Sequence, residues 1–442
     1  MVDRIIQNDT LLSCCYSFLK RRKLIFGKDK WDRIKQYDEV NARCIYPFND
    51  GVHLDSIIDF DNLKLLPLGE KTCESDPCDE NTTSSQTYSL PCLEDIQNMY
   101  LFVYPDVIIA KGDSQSIVYD LSEKRLFGVP NSFVDFLCIQ EGSTIGQIVN
   151  SFLENEKKIL FSYVTFLVSN KLARLGKEMG QFGTKEQYLK GYEEKLKIST
   201  TIIDSAIIDV TKLSSYNIQN LFNRLNSFRC SKILLRFFES NTDSFFKILS
   251  SIQSSNTIVR FDIYLPVEMY LQIANILTNE PKLFNILVYR CPESSVSFID
   301  QDIIDLRKTI YKSTNSSLSP TDCGNITFSR TALIPNNDYI LKNHFVNSCL
   351  YKKISIDSEG YVKNCPSMKY HFGHIDIVDM QQVIEDISFK KYWYITKDQI
   401  NTCCTCQYRY SCFDCRAYTE NDDLYGRPSK CKFSPSLNIW KQ

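Results

Sequence analysis

The chain has 442 residues, 43% of them hydrophobic and 24% charged, with 51 Lys and Arg against 53 Asp and Glu. That length accommodates about three ordinary domains with more than one core, and the near-neutral balance excludes nucleic-acid binding driven by overall charge. No apolar run approaches the roughly 18 residues of a membrane span, and Leu11–Leu19 follows Asp3, Arg4 and Asp9 rather than the basic start of a signal segment.

Residues 1–96 form an N-terminal extension with short apolar patches such as Leu11-Leu12 and Ile57-Ile58 and no sustained period. Leu11-Leu12-Ser13-Cys14 has the look of a lipoprotein cleavage box but lacks the apolar stretch that should precede one. Localisation in the cytoplasm is therefore expected. The stretch 73–90 is polar and lacks branched aliphatics until its last residue, so it reads as a linker that cannot build a core.

Residues 97–176 carry three short strand-like runs, Val107–Lys111, Ser116–Leu121 and Arg125–Val129, followed by three helical segments. Asn131 after Pro130 is placed to cap the first helix. Thr144 with Gln147 forms a capping box for the second, whose apolar face holds Ile145, Ile148, Val149, Phe152 and Leu153. The third helix spans about Lys157 to Leu172. A three-stranded sheet followed by three helices is a winged helix-turn-helix, usually a DNA-binding architecture. With Lys157, Lys158 and Lys171 as its only basic residues, the third helix is poorly suited to a DNA groove.

Between residues 190 and 320, apolar runs at Thr201–Val210, Lys232–Phe238, Val259–Leu265 and Phe284–Tyr289 alternate with amphipathic helices, one of which places Ile218, Leu221, Phe222 and Leu225 on one face. Such alternation implies a parallel sheet, here part of a β/α barrel or a half-wound sheet. Tyr192 through Cys323 contains no glycine, which excludes the phosphate-cradling loops of nucleotide sites. Cys230 and Cys291 sit beside strands and read as core thiols.

The segment 321–442 holds the strongest signal. Of 18 cysteines, eight lie in the last 94 residues. Cys349-x10-Gly360-x4-Cys365 is followed by Cys403-x2-Cys406-x5-Cys412-x2-Cys415 and a later Cys431. Close pairs in tight turns, brought together with distant ones, supply four soft ligands to each of two centres, for zinc or iron–sulfur clusters. Gly360 suits the turn of a hairpin between Lys352–Ile356 and Tyr361–Lys363.

Two resemblances follow from these residues. The order of strands and helices in 97–176 resembles the leader-peptide recognition domain of ribosomal-peptide maturation systems, and KGDSQSIVYDL and VPNSF there belong to the wider resemblance over residues 97–442. In that domain the leader adds as a strand beside the third strand and packs on the third helix. This implies peptide contacts at Arg125, Leu126, Phe127, Gly128 and Val129, with Phe161, Val164 and Val168 facing the groove. The cysteine pattern, with NSCLYKKISIDSEGYVKNCPSM and CQYRYSCFDCRAY, resembles the SPASM domain, and the set over residues 97–442 resembles the SPASM-domain peptide maturases of grasp-with-spasm systems, encoded beside an ATP-grasp ligase and a precursor peptide.

The resemblance implies two [4Fe–4S] clusters: Cys349, Cys365 and Cys415 at the first, and Cys403, Cys406, Cys412 and Cys431 at the second, with Cys404 pointing away. The fourth place at the first falls to His344 or Cys323, or stays open to a substrate. Cys412-x2-Cys415 is one residue shorter than the common interval. No C-x3-C-x2-C triplet occurs, so the cluster that would activate S-adenosylmethionine is not expected. The expected architecture is α/β: a winged helix-turn-helix peptide-recognition domain, a partial parallel β/α barrel and a cysteine-rich SPASM iron–sulfur domain. The partners implied are a precursor leader and an ATP-grasp ligase, with neither nucleic acid nor membrane. The alternative is a scaffold that presents the precursor, with iron–sulfur or zinc sites that are purely structural.

Overall fold

A computed structural model describes residues 93–139, 142–178, 184–291, 309–314, 318–324, 326 and 337–441; the expected extension before residue 93, with its polar linker, lies outside them. The chain divides into two compact units: the first holds residues up to Ser122 and Leu126–Lys185, and the second holds Glu123–Arg125 and the residues from Glu186 onward.

In the first unit, β2 (Val107–Ala110), β3 (Ser116–Asp120) and β4 (Arg125–Val129) form a sheet in that order, with β2 and β3 antiparallel and β4 the last strand. A further strand, β1 (Tyr100–Val103), pairs antiparallel with β5 (Ala173–Gly176), a two-stranded ribbon that closes the ends of the unit. Helices α1 (Asn131–Ile139), α2 (Ile145–Asn150) and α3 (Glu154–Ser169) lie between. The Thr144/Gln147 capping box is formed. Asn131 is not a cap: it is the first residue of α1, and its side chain donates to the Gly112 and Asp113 carbonyls (3.1 and 3.2 Å) while accepting from Ser116. The helix start is thereby tied to the β2–β3 turn.

The core between β4, α1 and α3 is aromatic. Phe127 meets Phe166 edge to face at 5.3 Å, and Phe133 meets Tyr163 and Phe166 at 5.2 and 5.6 Å. These contacts fix the rotation of α3 and correct one expectation. Val164 is 1% exposed and belongs to this core rather than to a groove, because it shares the inward face with Leu160, Tyr163 and Leu167. Phe161 and Val168 remain half-buried on a neighbouring stripe.

The second unit begins with α4 (Lys185–Ile198) and is built on a seven-stranded sheet of order β10-β9-β8-β7-β6-β11-β12. The strands are β6 (Ser205–Val210), β7 (Lys232–Phe237), β8 (Arg260–Pro266), β9 (Leu283–Cys291), β10 (Thr309–Thr314), β11 (Lys353–Ile356) and β12 (Val362–Lys363). All neighbours are parallel except β11 and β12. Alternate residues, Ala206, Ile208 and Val210, Ile233, Leu235 and Phe237, and Ile263 and Leu265, are buried with the apolar stripes of α5 (Ile218–Ser227), α6 (Thr242–Ser254) and α7 (Val267–Asn279). Cys230 and Cys291 are buried in the same core.

The hairpin expected within a separate cysteine-rich domain instead extends this sheet: β11 pairs in parallel with β6, Lys353 opposite Ser205. Ile354, Ile356 and Val362 join the same apolar core, so the sheet and the cysteine-rich segment make one unit rather than two. Gly360 closes the hairpin at φ +88, and a Cβ there would lie 2.5 Å from His374 Nε2.

The other face of the sheet carries charge. Asp209 on β6 and Arg236 on β7, 1% and 6% exposed, form a two-pronged pair with both bonds at 2.7 Å. Burying a paired charge is tolerable and burying a single one is not. Asp209→Ala should therefore cost about 3–5 kcal/mol in chemical denaturation, and replacing both residues with apolar ones of similar volume should cost far less. Equal losses in the single and double variants would contradict this.

Candidate metal centres

The cysteines arrive on turns rather than helices. The helix α8 (Asn337–Asn343) ends just before a turn in which Asn347 Oδ1 accepts the Cys349 and Leu350 N–H groups, both at 3.0 Å. Cys349 thus enters β11 and Cys365 leaves β12, so sheet register sets their separation. The Cys406 N–H donates to the Cys403 carbonyl at 3.0 Å, and the Cys412 N–H to that of Tyr408 at 2.8 Å, making two consecutive tight turns. Cys431 pairs in a parallel bridge with Ile326, and Lys430 Nζ donates to the Cys323 carbonyl at 3.0 Å. The turn after Cys323 is pressed against the other cysteine strand: Gly324 has φ +85, and a Cβ on it would sit 2.8 Å from Cys415 Sγ.

Two sets of four thiols result. In the first, Cys323 is hydrogen-bonded to Cys365, and both lie within electrostatic reach of Cys349; Cys415 is in reach of Cys349 and Cys323. The hydrogen bond from Cys365 lowers the Cys323 thiol to about 6, helped by Arg236 and Lys353, while the same bond and then burial raise Cys365 well above the ordinary thiol value. In the second, Cys403, Cys406, Cys412 and Cys431 are mutually in reach. Burial pushes Cys406 up to about 12 and also raises Cys403 and Cys412, with Lys397 pulling all three the other way.

Of the two residues expected for the fourth place, Cys323 lies beside Cys365, and His344 stacks on the Tyr410 ring at 3.7 Å. Its neighbour Asn343 braces the backbone, with Nδ2 donating to the Tyr410 and Cys412 carbonyls at 2.7 and 3.4 Å and so tying α8 to the second set. Cys404 is exposed, as its neighbouring position required.

The donor chemistry fits a thiophilic metal: eight thiols fall in two fours, each with a buried cation nearby. Arg236 serves the first set, and Lys397, 3% exposed and 3.9 Å from Cys403 Sγ, serves the second. Among the described residues no three Cys, His, Asp or Glu side chains close tightly enough to grip a metal ion as they stand. Sequence patterns did not single out Lys397, Asp414, Arg416 or Arg236. Asp414 and Arg416 do stand inside and beside the Cys412-x2-Cys415 motif, the one local hint.

The residues of the expected peptide groove other than Arg125 are in the first unit. Phe127 and Val129 point into the core, while Arg125, Leu126 and Gly128 are half-buried.

No protein-family model matches the chain, and no curated protein does. Among solved structures, Streptococcus suis SuiB is similar in two forms, bound to S-adenosylmethionine (12% identity, TM-score 0.30) and bound to precursor peptide SuiA (11% identity, TM-score 0.30). Each match covers 75% of this chain and 100% of SuiB. A heterocyclase in complex with substrate and cofactor is 10% identical at a TM-score of 0.16, over 35% of this chain and 23% of its own. At these scores the backbones diverge too far to define a shared fold.

If each set of thiols holds a metal centre, binding draws on all four thiolates, so Cys323→Ala and Cys406→Ala should each remove about half the bound metal, and His344→Ala should retain it. Full metal content in Cys323→Ala with loss in His344→Ala, read by elemental analysis of anaerobically purified protein, would return the fourth place to the histidine.

Proposed function

We propose that this protein takes part in the maturation of a ribosomally synthesised peptide. Its first unit binds the precursor leader and its second holds two auxiliary [4Fe–4S] clusters, in partnership with an ATP-grasp ligase. The observation that carries this reading is the convergence of the eight cysteines into two sets of four. Cys323, Cys349, Cys365 and Cys415 would hold one cluster, and Cys403, Cys406, Cys412 and Cys431 the other. Such clusters supply a one-electron store when bound.

With Cys323 as the fourth ligand of the first set, both sets would have a full complement of protein ligands, and neither would leave a position for a substrate. This favours clusters that relay electrons or brace the fold over a cluster that coordinates the peptide. Together with the missing C-x3-C-x2-C triplet, it also supports a second reading, a non-catalytic scaffold that presents the precursor to the ligase. Zinc in place of iron belongs to that second reading.

Leader binding would use the last strand of the first sheet. An extended peptide laid along β4 gains backbone hydrogen bonds of about 0.5–1.5 kcal/mol net each, and its side chains would meet Leu126 on the strand and Phe161 and Val168 on α3. Leu126→Pro removes a donor and bends the strand. Phe161→Asp puts a charge on the half-buried stripe without entering the core, which Val164→Asp would disrupt. Both variants should bind a fluorescent leader peptide at least tenfold more weakly at unchanged circular dichroism and metal content. Parent-like binding by folded variants of both kinds would remove this strand as the recognition site.

A further inference from the structure

The buried charge beside the second set of thiols does not balance. Lys397, Asp414 and Arg416 are 3%, 2% and 6% exposed. Lys397 Nζ lies 3.2 Å from Asp414 Oδ1, and Arg416 reaches the same carboxylate with Nε at 2.5 Å and a terminal nitrogen at 2.7 Å. Asn347 Nδ2 donates to Asp414 Oδ2 at 2.7 Å. Two cations therefore share one carboxylate, and one positive charge is left over in a dry site. The nearby Arg409–Asp398 pair, at 2.9 Å, cancels itself and keeps its carboxylate at the surface, 42% exposed. A buried excess charge is costly unless something of opposite sign stands against it. The group facing Lys397 is Cys403, 3.9 Å away.

The first set is different. Its buried cation, Arg236, is neutralised by the two-pronged bond to Asp209, and the other cations close to it, Lys342, Lys353 and Lys430, are half-buried rather than enclosed. Four thiolates around a metal centre carry net negative charge, and adding an electron makes that charge larger. A fixed, unshared cation against the ligating sulfurs stabilises the reduced form most where water cannot screen it.

We infer that Lys397, held by Asp414 and backed by Arg416, is the counter-charge of the second centre and keeps its midpoint potential above that of the first. This rests on the iron–sulfur reading proposed above. Lys397 is a tuning residue, not a ligand.

The test is a dithionite redox titration of the full chain, purified anaerobically and followed by electron paramagnetic resonance, with iron and sulfide measured on each sample. The parent should show two reductive transitions, the higher of which is absent in Cys406→Ala. Lys397→Met should move that transition to more negative potential and leave the other in place, Lys397→Arg should restore it, and Asp414→Asn should move it the opposite way. If Lys397→Met fails to take up a second cluster, Lys397→Arg and Asp414→Asn decide the sign. Full iron with no shift in Lys397→Met, or a negative shift in Asp414→Asn, overturns the inference. Zinc without iron, sulfide or any transition in the parent overturns instead the iron–sulfur reading on which it stands.

Discussion

A segment with almost no regular secondary structure has to be held by something else, and from Ile395 onward this chain has only one-turn helices and the two-residue strands β13 (Phe433–Ser434) and β14 (Ile439–Trp440). Backbone ladders are too short there to define a shape. What defines it is the inward convergence of thiols, supported by buried polar tethers: Asn343 to the Cys412 carbonyl, Asn347 to Asp414, and Arg416 to the Leu424 and Gly426 carbonyls. A small aromatic patch of Tyr408, Phe433 and Trp440 covers the end. Everything else in the second unit delivers these groups to one place.

The parallel sheet is the delivery device. By taking β11 alongside β6, it fixes the turn that bears Cys349 and, through the hairpin, the one that bears Cys365. Its charged face brings Arg236 within reach of Cys323 and Cys365. Asp414 lies between a cysteine of each set in sequence and is in electrostatic reach of both Cys349 and Cys403. Tyr339 on α8 is likewise in reach of Cys349 on one side and Cys412 on the other. The two groups of thiols thus share the polar neighbours Asp414 and Tyr339.

Much of this was legible from residues alone where the signal is local. Strand and helix periods located β6–β9 and their helices, and the capping box at Thr144 located α2. The cysteine spacing marked the turns of the second set. Pairing between distant segments was not legible. The addition of β11 to β6 depends on an apolar core that both strands share, and nothing in their own sequence names the partner. Cys323 was ambiguous for the same reason, since its approach to Cys415 depends on the Ile326–Cys431 bridge and on Gly324. Val164 failed as a groove residue because the aromatic contacts of Phe133 and Phe166, not helix periodicity, set the rotation of α3. Lys397 stands outside every motif; only burial and its position beside Cys403 reveal it.

Both proposed centres require eight thiols to form two complete sets, and anomalous diffraction from one anaerobically grown crystal, recorded on both sides of the iron and zinc absorption edges, tests this most directly. Two separate iron clusters are predicted, one ligated by Cys323, Cys349, Cys365 and Cys415 and the other by Cys403, Cys406, Cys412 and Cys431. A single cluster, a zinc signal at these positions, or an iron bound by His344 in place of Cys323 would contradict it.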